Sequence, residues 1–155
     1  MKLWRISKNE YAETAFDGLG AKKVGGRWNN PGVPLVYTSE HLSLAALELL
    51  VHVAAEDDPP DLVAVWGELD DSVDLPRLTV DEMPQGWQRV TGHARLKEYG
   101  DRWQRAGSSL ALAVPSVVVP EELNILVNPE HPDFTAKVKL GGSRPFSFDS
   151  RLFAR

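Results

Sequence analysis

The chain contains no cysteine. Disulfides, thiol nucleophiles and thiolate metal sites are therefore excluded together. No long hydrophobic run is present either. The most apolar stretch, residues 42–55, is too short to span a bilayer and is interrupted by Glu48 and His52. The start, Met1-Lys2-Leu3-Trp4-Arg5, has no apolar core of a secretory signal. A cytoplasmic location without membrane contact is the expectation. Clustered basic charge is also missing. The formal charge is −5, and Lys22-Lys23 is the one local concentration of cations near a turn. Direct binding to nucleic acid, which depends on neutralising phosphates with grouped Lys and Arg, is disfavoured. No repeat, low-complexity tract or linker divides the 155 residues, so a single domain over 1–155 is expected.

What is present reads as short strands interleaved with two main helices, an α+β arrangement. Leu3 to Ser7 alternates like a strand, and Gly18 to Gly26 is glycine-rich enough to predict a loop. Asn30-Pro31-Gly32 marks a turn, after which Pro34 to Ser39 reads as a strand. A helix is predicted over 42–55, with Ser39 or Ser43 as its N-cap. Leu62 to Leu69 is a further strand, and residues 70–92, carrying Pro76, Pro84 and Gly86, read as an irregular excursion. A second helix is predicted over 94–106 despite Gly100. Leu110 to Val119 is β-rich but broken at Pro115-Ser116. Short strands are expected at Ile125 to Val127, Lys137 to Leu140 and Phe146 to Asp149.

The helix around Glu48 carries the strongest chemical signal. Apolar residues flank the carboxylate on nearly every side, as in a helix buried all round. An unpaired buried carboxylate is costly, so Glu48 requires a cation, hydrogen-bond donors or a proton. His52, one turn on, and Arg27, beside Gly25-Gly26, are candidate partners. A structural ion pair fits position 48 as well as catalysis does. A glutamate and a histidine at this spacing also occur at metal sites, but no second histidine pair or Asp cluster accompanies them. Arg27 could clamp a phosphate bidentately or simply lie on the surface. Tyr37 suits either a core strand or a ring-stacking wall. Ser116 lacks a nucleophile elbow, which leaves a hydroxyl donor or a strand irregularity. Asn124, Asn128 and His131 lie in what reads as a tight turn, so a ligand role for Asn128 comes second.

Taken in order, several segments resemble the RES family, the toxin half of Xre–RES type II toxin–antitoxin pairs. They are Leu3-Trp4-Arg5, Gly26-Arg27-Trp28-Asn29, Val36-Tyr37-Thr38-Ser39, Ala45-Ala46-Leu47-Glu48, Val114-Pro115-Ser116, Asn124 to Pro132, and Phe148 to Leu152. Each piece is short, but the ordered set spans almost the whole chain. The arginine, glutamate and serine of the family's name correspond to Arg27, Glu48 and Ser116. The resemblance implies an ADP-ribosyltransferase-like fold, with a central β-sheet framing an NAD cleft and helices flanking it. It implies NAD as substrate, no metal, and cleavage of the nicotinamide–ribose bond.

Two enzymatic outcomes follow from that cleavage. Water or phosphate takes the ADP-ribose and the cofactor is depleted, arresting growth, or a cellular protein accepts it. A non-catalytic nucleotide-binding module is the reading from another class. On this resemblance Glu48 stabilises the departing ribose cation, and Arg27 binds pyrophosphate or ribose oxygens. Tyr37 packs on the nicotinamide side and Ser116 fixes a hydroxyl or phosphate, with His52 and Asn128 as supporting contacts. A cognate Xre-type antitoxin with a helix-turn-helix, blocking the cleft, is the implied partner. Residues 70–93 match no family motif.

Overall fold

The computed structural model describes residues 1–53, 61–89 and 92–153. Six antiparallel strands form one sheet in the order β4-β5-β2-β1-β3-β6. They are β1 (Lys2–Lys8), β2 (Val36–Ser39), β3 (Leu62–Leu69), β4 (Ala111–Pro115), β5 (Leu123–Val127) and β6 (Val138–Phe146). The helices are α1 (Leu19–Val24), α2 (Leu42–Val53), α3 (His93–Ala106) and the single turn α4 (Phe134–Lys137). β1 runs beside β3 over seven residue pairs, yet it meets β2 at one position, Trp4 opposite Ser39. The sheet is thus two three-stranded halves hinged at one pair, and α2 packs across both β1 and β2 at that joint.

Side-chain alternation along the strands divides the core in two. Leu3, Val36, Val63, Val65, Ala113, Ile125 and Val127 pack one face against Ala15 and Phe16. On the other face Leu112, Val114 and Leu126 meet Trp28, Trp87, Leu96 and Trp103, while Ile6 and Leu62 meet Ala45 of α2. Three of the five tryptophans are thus buried under the half of the sheet that holds β4 and β5. Burying side chains of this size removes roughly 150–250 Å² each from water, which makes this cluster the main support of that half.

Several local expectations are corrected. The glycine-rich stretch 18–26 is not a loop throughout. Its glycines bracket α1: Gly18 (φ 74°) starts it and Gly25 (φ 75°) ends it, both in backbone that other residues rarely adopt. Ser39 does not cap α2, because it ends β2 and its hydroxyl donates to Asn124 Oδ1 at 2.7 Å. The Ala45 N–H bonds to the His41 carbonyl, which places the helix start at His41. Nor is α2 buried all round. Leu47 and Val51 are 39% and 59% exposed, since the helix covers the sheet with one side only. Its expected end at Ala55 lies outside the described residues. Lys137 closes the α4 turn rather than opening a strand, and β6 runs on to Phe146, beyond which residues 147–149 leave the ladder.

The described part of the excursion, residues 70–89, belongs to the fold. The Leu78 N–H bonds to the Ala113 carbonyl and the Ala113 N–H to the Pro76 carbonyl, so it runs along the open edge of β4. Pairing at Ala113 covers the middle of that edge against another chain. Trp87 then turns inward into the core.

Candidate active site

Glu48 projects from α2 towards the ends of β4 and β5. Its Oε1 accepts from the Ser116 hydroxyl at 2.7 Å and from Asn124 Nδ2. Ser116 itself is fully buried just past β4. Its oxygen accepts from the Val118 and Val119 N–H groups at 3.0 and 3.1 Å. Those two bonds occupy the lone pairs of the hydroxyl, so its single hydrogen is committed to Glu48. Asn124 is oriented in the same way, because the Ser39 hydroxyl donates to its Oδ1 and leaves the amide to face the carboxylate. Two side chains therefore hold one oxygen of Glu48, a third, Ser39, orients one of them, and among the described residues Oε2 makes no hydrogen bond.

Arg27 stands on the other side of the gap. It sits in a tight turn closed by the Gly26 N–H bonding to the Asn29 carbonyl at 3.0 Å. A Cβ at position 26 would lie 2.5 Å from the Tyr37 hydroxyl oxygen, so glycine is what lets this turn close onto β2. Arg27 Nη1 donates to the Trp87 carbonyl at 3.0 Å. Burial pulls the guanidinium pKa below its ordinary value, and the Glu48 carboxylate, then Tyr37, oppose the shift. The guanidinium and the carboxylate sense each other without forming a direct ion pair. That leaves a positive and a negative group near each other but not paired.

Tyr37 sits between them. Its hydroxyl accepts from the Trp28 N–H at 2.9 Å and donates to Asn29 Oδ1 at 2.7 Å. Burial raises its pKa far above the usual phenol value, against the opposing effect of the Trp28 N–H. The hydroxyl is consumed in holding the Arg27 turn, which leaves the ring as the part available to a ligand. Asn29, fully buried, ties this hub to the Ala21, Asn30 and Val33 carbonyls. From below, α3 clamps the turn. Asp101 accepts from the Asn30 N–H and Nδ2 at 3.0 and 2.8 Å, and Gly100 lies so close to the Trp28 carbonyl that a Cβ there would overlap it.

The structure thus brings Arg27, Tyr37, Glu48 and Ser116 into one neighbourhood. It does not bring Asn128 there. Asn128 is buried at the opposite end of β5 from Asn124, about 13 Å along the strand. Its amide exchanges hydrogen bonds with Gln104 of α3 and accepts from the Glu130 N–H. His52 is exposed in the last turn of α2. Asn124 is the residue that sequence reasoning passed over. It was placed in a turn with Asn128, yet it pairs with Ser39 and Val114 inside β5 and faces Glu48. Alternation with Leu126 was the available signal. Among the described residues no group of three or more His, Asp or Glu side chains is arranged to hold a metal, and no helix is long and apolar enough to cross a membrane.

Comparison with known proteins agrees with this geometry. The model of the RES domain matches residues 2–149. A protein of Photorhabdus laumondii named Toxin Res is 36% identical, the match covering 98% of this chain and 97% of that one. A protein of Sphingobium named Prs ADP-ribosylating toxin is 35% identical over 98% of this chain and 96% of its own length. The crystal structure of the M. tuberculosis MbcT–MbcA toxin–antitoxin complex contains a chain of the same fold, with a TM-score of 0.78 at 16% identity, covering 98% of this chain and 86% of that one. With the RES domain matching along nearly its whole length and relatives of this identity covering almost all of it, the chain belongs to the RES-domain family.

Proposed function

We propose that this protein is the toxin of a toxin–antitoxin pair and that it cleaves the nicotinamide–ribose bond of NAD, depleting the cofactor. The observation that carries this reading is the half-satisfied Glu48. One carboxylate oxygen is locked by Ser116 and Asn124, the other accepts no hydrogen bond among the described residues, and the charge of Arg27 is close enough to feel the carboxylate. A preorganised negative charge stabilises the oxocarbenium character that develops on ribose as the glycosidic bond breaks. The bonding electron pair leaves on the nicotinamide nitrogen and neutralises its positive charge. Water or phosphate then adds to ribose C1′, and a proton is released. Arg27 binds the diphosphate or ribose oxygens, the Tyr37 ring packs against the nicotinamide side, and Ser116 acts through Glu48.

A second reading, transfer of ADP-ribose to a cellular protein, is favoured by the name of the Sphingobium relative. A non-catalytic nucleotide-binding module would instead hold NAD intact. An Xre-type antitoxin occupying the cleft would silence either activity. One incubation of antitoxin-free protein with NAD labelled in the adenosine half separates the readings. Free nicotinamide with soluble labelled ADP-ribose is expected. Label on a protein band selects the transferase reading, and intact NAD alongside an identical Glu48→Gln control rejects both.

A further inference from the structure

The turn at Asn128 and Glu130 lies away from Glu48 and Arg27, yet it is tied to α3. Asn128 Nδ2 donates to the Gln104 carbonyl at 2.9 Å. Gln104 Nε2 donates in return to Asn128 Oδ1 at 3.2 Å and to Glu130 Oε2 at 2.9 Å. Beside it, Trp103 Nε1 donates to the Ser109 hydroxyl at 2.8 Å, which itself donates to the Ala111 carbonyl of β4. The last turn of α3 is thus fastened to β4 and β5. Those strands carry Ser116 and Asn124, the partners of Glu48, at their other ends.

One turn earlier the same helix meets the arginine turn. Tyr99 packs edge-on against Trp28 with ring centroids 6.1 Å apart, and Gly100 admits the Trp28 carbonyl where a Cβ would overlap it. Asp101 is buried, and its two oxygens accept from the Asn30 N–H and Nδ2 at 3.0 and 2.8 Å. No cation forms an ion pair with it among the described residues. A buried carboxylate without a cation is costly. An asparagine in the same pose would turn its NH₂ towards one of the two donors. The charge is therefore what allows Asn30 to be held at two points.

We infer that α3 sets the placement of the Arg27 turn relative to Glu48, with Asp101 as the positioning residue and the Gln104–Asn128 pair as its anchor. The inference rests on the NAD reading for what that placement serves: a substrate held by both groups binds well only where both are correctly placed. Asn128 then contributes to binding without touching the substrate.

The test compares Asp101→Asn, Gln104→Met and the exchange of Asn30→Asp with Asp101→Asn against the wild type. NAD kinetics are measured well below the melting temperature, and the Arg27 Nε–Hε resonance is followed by NMR without ligand. Asp101→Asn should shift that resonance and raise KM by roughly three- to tenfold, the scale of one hydrogen bond. Its kcat should change by less than about twofold, because Ser116 and Asn124 still hold Glu48. Gln104→Met should move the resonance and KM in the same direction by less. The exchanged pair keeps both hydrogen bonds, the side-chain one reversed, and should bring KM and the resonance most of the way back. Variants that lower only the melting temperature, with KM and the Arg27 resonance unmoved, overturn the inference. If the wild type releases no nicotinamide, the NAD reading falls alone, and the Arg27 resonance still decides whether α3 places the turn.

Discussion

The carboxylate wall of the cleft rests on strands, and the arginine wall rests on loops. Glu48 is held by Ser116 and Asn124 at the ends of β4 and β5, whose ladder is continuous and whose side chains are nearly all buried. Arg27 is held by a four-residue turn, a backbone carbonyl from the irregular 70–92 segment, and the flank of α3. Hydrogen-bond use differs in the same direction. The Glu48 side spends its donors on one another, whereas the Arg27 guanidinium makes one hydrogen bond, to the Trp87 carbonyl, among the described residues. A rigid wall suits a charge that must be preorganised for a transition state. A wall with spare donors suits the binding of a polyanion.

Substitutions on the two walls should separate chemistry from binding. Glu48→Gln should lower nicotinamide release by roughly 10²–10³-fold, the scale of losing one electrostatic stabiliser. The amide oxygen can still accept from Ser116 and Asn124, so the melting temperature should scarcely move. A wild-type rate would remove Glu48 from the chemistry. Arg27→Lys should raise KM for NAD by about ten- to a hundredfold with a smaller effect on kcat, because a lysine cannot reproduce the guanidinium fork. A loss confined to kcat would contradict the division between the walls.

Within the carboxylate wall, Ser116→Ala and Asn124→Ala should each reduce kcat by roughly tenfold, as one charged hydrogen bond is lost. Both residues act on the same oxygen, so the double variant should lose less than the product of the two. Full multiplicativity would mean that they act separately. The smallest effect on catalysis is expected from Tyr37→Phe, which keeps the ring. It strips the Trp28 N–H and Asn29 Oδ1 of their partner, which should cost about 1–3 kcal/mol of stability, read by denaturant unfolding. Unaltered stability would show that the hub does not hold the Arg27 turn.

The two walls were unequally legible. Glu48 stood out because a carboxylate inside an apolar helix needs an explanation, and Ser116 because Pro115 breaks a β-rich run. Both signals are local. The neighbours that give those residues meaning are not. Asn124 and Ser116 lie 76 and 68 positions from Glu48, and Asn124 was grouped with Asn128 because asparagine near proline so often signals a turn. Asn128 and Glu130 do form such a turn, one strand-length away. On the arginine side, Gly25-Gly26 announced a turn, but neither its closure onto Tyr37 nor the contact of Gly100 with Trp28 can be read from spacing.

By itself the sequence determined most of the elements: β1, β3, α3 and the start of α2 follow from alternation and helical period. It also determined the family, because ordered short motifs survive where each alone would be weak. Only the tertiary structure decided which oxygen of Glu48 is held, that the Tyr37 hydroxyl is consumed, and that Trp87 reaches back to hold Arg27. The physical reason is range. Periodicity and turn chemistry act between near neighbours, whereas the state of a buried polar group depends on partners brought to it by the closing of the sheet.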